Sequence, residues 1–94
     1  MHVTIEYAAQ AKRAAGIAAE RVELDAPCSV SELLRRRADA RGTELRILLF
    51  GDDGRLQPSL LVFVGDRQIR GDEADTLRVS EGDVLTVMSP ISGG

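Results

Sequence analysis

The sequence predicts an α+β fold in which a mixed sheet of four to five strands packs on one main helix. Three observations carry this. Residues 2–7 and 20–24 alternate apolar and polar side chains with the period of a strand that buries one face. Residues 29–38 open with helix-capping chemistry and continue as one apolar stripe. Residues 84–88 form a β-branched run directly after a Glu-Gly-Asp turn.

In the first strand Val3, Ile5 and Tyr7 share one face, and His2, Thr4 and Glu6 the other. Residues 8–16 are rich in alanine and end at Gly16, which suits a loop or a short helical turn before the second strand places Val22 and Leu24 inward. Pro27 breaks that strand, and Ser29 followed by Glu32 has the spacing of a capping box. The helix it starts aligns Val30, Leu33, Leu34 and Ala38, with Gly42 as its stop. Residues 45–50 are apolar and fit either helix or strand. Gly51-Asp52-Asp53-Gly54 is a turn, residues 60–64 are a continuous apolar strand, and residues 67–70 a short one after Gly65-Asp66. Leu77 and Val79 read as core anchors before the last strand. A hairpin, a helix and further strands, with last strand beside first, make a β-grasp, whose first and last strands lie parallel at the sheet centre.

Composition narrows the function. The 94 residues suit a single domain, and 44% hydrophobic against 29% charged residues is a globular balance. A net charge of −3 argues against nucleic acid as a direct partner. One cysteine and one histidine can build neither an internal disulfide nor a metal cluster, which fits a reducing cytoplasm. Neither a signal peptide nor a membrane span is expected. The chain ends in Gly93-Gly94, a pairing expected by chance in roughly one chain in 200. A terminal carboxylate, with an ordinary pKa of about 3.3–3.7, is an anion at neutral pH and can attack an electrophile such as the α-phosphate of ATP. Glycines without Cβ atoms can thread a narrow channel to reach it.

With these elements in place, the chain resembles the MoaD/ThiS family of ubiquitin-like sulfur carrier proteins over essentially its full length. The resemblance is most specific from Glu81-Gly82-Asp83 through Val84-Leu85-Thr86-Val87-Met88 to Pro90-Ile91-Ser92-Gly93-Gly94, which is similar to that family's Gly-Asp turn, last strand and Pro-x-x-Gly-Gly ending. Asp53-Gly54-Arg55-Leu56-Gln57-Pro58 followed by Leu61-Val62-Phe63-Val64 is similar to the MoaD-like subset used in cysteine or thiolated-tRNA synthesis, or in protein conjugation. Gly65, where many relatives have Asn, and Ser89, where relatives often have a further proline, depart from the pattern. The resemblance implies a ubiquitin-like β-grasp spanning residues 1–94 with a flexible tail from about residue 89 to 94. It implies a carrier, not an enzyme, able to serve as the small subunit of a synthase. A ubiquitin-activating-type adenylyltransferase would use ATP to adenylate Gly94, and a sulfur donor would convert it to a thiocarboxylate. Pro90, Ile91, Ser92 and Gly93 would thread the tail into that partner. The acceptor would be an enzyme of molybdopterin, thiamine or cysteine synthesis or of tRNA thiolation. The alternatives are a protein modifier conjugated through Gly94 to target lysines, and a β-grasp binding module with an incidental diglycine.

The remaining features have blander readings. Gly51-Asp52-Asp53-Gly54 lacks the lysine of a phosphate loop, and its acids, with Asp72, Glu73 and Asp75, are solvated turn residues. Cys28 is structural, His2 an ordinary surface residue, and Arg35, Arg36 and Arg37 the wet side of a helix. If Leu61, Phe63, Leu85 and Val87 face the helix, then Leu60, Val62, Thr86 and Met88 form a candidate partner surface on the opposite sheet face. Lys12 is the only lysine, so only it or the amino terminus could accept an isopeptide bond.

Overall fold

The computed structural model describes residues 1–89. Strands β1 (His2–Ala9) and β2 (Ala19–Glu23) form an antiparallel hairpin around a short helix, α1 (Gln10–Ala15). The main helix α2 (Val30–Arg41) and a second helix α3 (Thr43–Leu49) follow. Strands β3 (Leu61–Val64) and β4 (Arg67–Ile69), a single-turn helix α4 (Gly71–Ala74) and strand β5 (Val84–Ser89) complete the order. The five strands lie in the order β2-β1-β5-β3-β4, with β1 and β5 parallel and the other neighbours antiparallel. The β-grasp expected from the sequence is the observed architecture.

Each element forms for a local reason. The Ser29 Oγ accepts from the Glu32 amide at 3.1 Å and so caps α2. The Glu32 carboxylate accepts from Arg36 Nε, at 3.1 Å, on the next turn. The stripe Val30, Leu33, Leu34 and Ala38 is almost wholly excluded from water and carries α2 onto the sheet. Residues 45–49 are helical because Leu45 and Leu49, one turn apart, both reach the core, whereas Ile47 between them is 65% exposed. Phe50 then turns extended and bridges to Leu56 across the Gly51–Gly54 turn. The β3–β4 hairpin closes on Gly65 with φ 59°, as the first central residue of a two-residue turn requires.

One expectation is overturned. Antiparallel pairing sets Val62 opposite Val87 and Val64 opposite Leu85. Because β5 buries Leu85 and Val87, the inward residues of β3 are Val62 and Val64; Val62 is only 3% exposed. Leu61 and Phe63 therefore face the other way. Leu60 lies just before the strand and packs, half-buried, against the core. A shift of one residue in register exchanges the two faces of a strand completely. Of the four residues expected on the open face, Leu60 and Val62 are displaced, and Leu61 and Phe63 take their places beside Thr86 and Met88.

This assignment makes a direct prediction. Val62→Ala should lower the unfolding free energy by about 2 kcal/mol, and Leu61→Ala by less than about 1 kcal/mol, in urea titrations. Equal losses, or the reverse order, would restore the opposite orientation of β3.

Candidate functional site

The site begins where β5 ends. This strand lies between β1 and β3, so its last residues are held from both sides: Met88 is opposite Ala8 on β1 and Leu61 on β3, and Ser89 is opposite Ala9. Ser89 is buried, 7% exposed, and forms the root from which the chain continues. Pro90, Ile91, Ser92, Gly93 and Gly94, the residues expected to carry the chemistry, lie outside the described residues.

Beside this root is the open sheet face. Ala8, Met88 and Leu61 make one row across β1, β5 and β3, and Glu6, Thr86 and Phe63 make the next. Ala8, Leu61, Phe63, Thr86 and Met88 are all half-buried and lie outside the core cluster, and Thr86 Oγ1 donates to Glu6 Oε1 at 3.4 Å. The face is thus apolar near the tail and rimmed by a carboxylate. Methionine adds an adaptable contact.

Two devices lie beside the tail root, at the end of β1 that pairs with β5. The first is a polar cluster under the end of β1 that the sequence reading did not identify. The Tyr7 hydroxyl donates to Glu20 Oε2 at 2.5 Å, while Arg37 donates to Glu20 Oε1 at 2.8 Å and Arg41 to the same oxygen at 3.0 Å. Burial pushes the Glu20 carboxyl up, but hydrogen bonds from Arg41, Tyr7 and Arg37 outweigh it and hold the carboxyl below its ordinary value of 4.5. Burial, together with the hydrogen bond to Glu20, raises the Tyr7 phenol. The cluster ties β1, β2 and α2 together near the partner of Val87. The sequence carried one signal, an acid in the β2 strand with arginines one turn apart on α2, but their meeting depends on the tertiary packing. The second device is Ala9, whose φ of 56° and ψ of −130° are costly for a residue with a Cβ. This bend turns the chain abruptly from β1 into α1.

The other sequence candidates lie away from this site or are engaged elsewhere. Arg35 donates to the Gly54 carbonyl at 3.1 Å and stacks over Phe50, while Arg36 and Arg37 are paired with Glu32 and Glu20. Cys28 is buried in the core cluster. His2 sits between Glu23 and Glu81 at the far end of β1. Asp52, Asp53, Asp72 and Asp75 line an open cleft with Arg55; among the described residues, no three of His, Cys, Asp or Glu are placed to hold a metal ion. No described helix is long and apolar enough to cross a membrane.

The architecture is shared with known proteins. The crystal structure of SAMP1 from Haloferax volcanii matches with 28% identity over 100% of both chains and a TM-score of 0.82. A putative molybdopterin converting factor, subunit 1, from Pyrococcus furiosus is 24% identical over 97% of this chain and 99% of its own, with a TM-score of 0.70. A chain of the Amycolatopsis orientalis BexX/CysO complex is 23% identical over 98% of this chain and 99% of its own, also with a TM-score of 0.70. The last two likenesses speak for the fold alone. No family model and no curated protein matches the chain. The ubiquitin-like β-grasp read from the sequence is thus a fold shared with these solved proteins.

The two devices at the tail root can be tested separately. A carboxyl whose folded pKa is depressed contributes stability that is complete above 4.5 and is lost as pH falls through the folded value. Glu20→Gln should therefore be less stable than the parent at pH 7, and the gap should close as urea titrations move down from pH 4.5. A gap independent of pH would exclude Glu20 ionisation as the source. Ala9→Gly should raise the unfolding free energy by about 1 kcal/mol, because glycine accepts this backbone geometry without a Cβ clash.

Proposed function

We propose that this chain is a non-catalytic carrier of the ubiquitin-like type, working through its Gly94 carboxylate. The observation that supports this best is the pairing of β5 between β1 and β3, which anchors the tail root in the centre of the sheet beside a half-buried apolar face. The arrangement separates two tasks. The rigid domain supplies a surface for partner recognition, and the chain beyond Ser89 supplies the reactive end.

In the proposed cycle a ubiquitin-activating-type adenylyltransferase binds the open face. One Gly94 carboxylate oxygen attacks the α-phosphorus of ATP, pyrophosphate leaves, and an acyl-adenylate forms. A sulfur donor then delivers sulfur at the sulfide oxidation level to the carbonyl carbon. The carbon–oxygen bond to AMP breaks, AMP takes the electron pair, and a thiocarboxylate remains. Carboxylate alone is a poor acyl donor, whereas AMP is a good leaving group, so ATP is consumed by the partner and no cofactor need reside in this chain. Pro90, Ile91, Ser92 and Gly93 would occupy the partner's channel. The thiocarboxylate would serve a sulfur-accepting enzyme in molybdopterin, thiamine or cysteine synthesis or in tRNA thiolation.

A second reading has its own support. SAMP1 is named a small archaeal modifier protein, so transfer of Gly94 to a lysine of a target protein is the main alternative to sulfur delivery. Both readings share the adenylate and differ only in the nucleophile that resolves it.

Intact-mass measurement after incubation with an adenylyltransferase of this type, ATP and a sulfur donor decides between them. Replacement of one terminal oxygen by sulfur supports the carrier, and lysine-linked adducts of other proteins support the modifier. An unchanged mass with a set of such enzymes would sink both. Deletion of Gly94 should abolish activation while leaving the urea midpoint unchanged. Phe63→Ser and Met88→Ser should each slow adenylation by about 10-fold or more, as expected for apolar residues at the centre of an interface.

A further inference from the structure

Strand β2 ends the sheet, so one of its sides has no neighbouring strand. Its hydrogen bonds to β1 reveal which backbone groups that side presents. Leu24 N donates to Met1 O at 2.7 Å, the Met1 amine donates to Leu24 O at 2.9 Å, and Tyr7 N donates to Ala18 O at 2.8 Å. An antiparallel ladder alternates such bonded pairs with pairs whose backbone groups point away from each other. Ala18, Glu20, Val22 and Leu24 therefore bond to β1, and the N–H and C=O groups of Ala19, Arg21 and Glu23 point out from the edge. Thr4, the partner of Arg21, fits this pattern: its N–H donates away from β2, to Asp83 O at 2.9 Å.

Sheet edges are commonly blunted by proline, a bulge or charged side chains. Strand β2 has no proline, and its register with β1 runs unbroken from Ala19 to Glu23. It does carry two charges on one face, Arg21 and Glu23, both exposed, with buried Val22 between them. The Glu23 side chain is 75% exposed, and its 3.8 Å separation from His2 Nε2 is too long for a hydrogen bond. Opposite charges two residues apart make this edge complementary to itself. Antiparallel pairing centred on Val22 sets Arg21 opposite Glu23 of a second copy and, by two-fold symmetry, Glu23 opposite Arg21. These are the residues whose backbone groups point outward, so the two pairs also exchange hydrogen bonds in both directions. Val22 meets its own counterpart as the closely spaced pair between them. A centre at Arg21 or at Glu23 brings like charges face to face, and so does a symmetric parallel pairing.

We infer that the free edge of β2 docks a second copy of this chain, antiparallel and centred on Val22. Like charges directly opposite destabilise a ladder, so Arg21 and Glu23 resist the other symmetric registers while selecting this one. A two-fold axis normal to the sheet joins the two five-stranded sheets into one, with the helices of both copies on one side. Strand β5 is separated from the contact by β1 and β2, so Ser89 and the apolar face beside it stay clear of the contact in both copies. The edge is only five residues long, below the scale of a standard interface, so the association is weak and depends on concentration.

Sedimentation velocity and amide NMR with hydrogen exchange on the full chain, from ~10 μM to ~1 mM, test this. The mass should rise toward the dimer with concentration. The amides of Arg21 and Glu23 should gain protection in step, while those of Glu20 and Val22, already bonded to β1, stay unchanged. Arg21→Glu sets carboxylates opposite each other at both places and should weaken the dimer about 10-fold or more; Glu23→Arg should do the same with guanidinium groups. Combining Arg21→Glu with Glu23→Arg only exchanges the charges and should return the dimer to the strength of the parent. Both positions are exposed, so urea midpoints near that of the parent verify that each variant is folded. A chain that remains monomeric at ~1 mM would overturn the inference. So would a dimer whose protection or shift changes fall on Phe63 and Met88, or one that the double exchange leaves as weak as the single variants. Protection of Arg21 and Glu23 gained only from an added extended peptide of alternating valine and arginine, with the chain itself monomeric, would give the edge to a foreign strand and overturn it as well.

Discussion

The structure depends on one pairing. Strands β1 and β5, from the two ends of the chain, run parallel at the centre of the sheet, and each has a second neighbour on its other side. Glu6 and Thr86, which share a hydrogen bond across this ladder, are 80 residues apart in sequence. Closing so long a loop is entropically costly, and the return is the burial of Val3, Ile5, Tyr7, Leu85 and Val87 in adjacent rows. Helices α1, α2 and α3 all complete the core that these rows begin. A change that weakened the pairing would therefore loosen the core and the anchorage of the tail together.

The pairing also fixes where the ordered part of the described chain stops, at Ser89. A strand bonded on both sides frays less readily than an edge strand, so the end of β5 is firmly held. The side of the sheet away from the helices keeps a half-buried apolar face next to that point. With few aromatic residues available, this face uses Phe63 and Met88 as its large side chains, beside Leu61. The cluster of Tyr7, Glu20, Arg37 and Arg41 braces the same end of β1 from the opposite face, at the cost of burying a carboxylate that needs several donors to remain charged.

Local chemistry made much of this legible in the sequence. The alternation of Val3, Ile5 and Tyr7, the Ser29 cap with its apolar stripe, and the turns at Gly65 and Gly82 all depend on residues close together in the chain, and each is found where expected. The run of residues 45–50 resisted assignment because periodicity cannot separate a short buried helix from a strand; packing of Leu45 and Leu49 against the core decided it. The facing of β3 was misread for a different reason. All its residues are apolar, so no alternation marks a buried side, and only its register with β5 sends Val62 inward and Phe63 outward.

By itself the sequence determined the kinds of element, their order, and a diglycine ending after a last strand, since these follow from side-chain period, capping and backbone freedom. Tertiary structure alone decided which apolar residues the sheet leaves half-exposed, and which acid gathers two arginines and a tyrosine. Those outcomes depend on strand register and on contacts between residues far apart in the chain. Neither is encoded in any local pattern of residues, and both are fixed once β5 takes its place between β1 and β3.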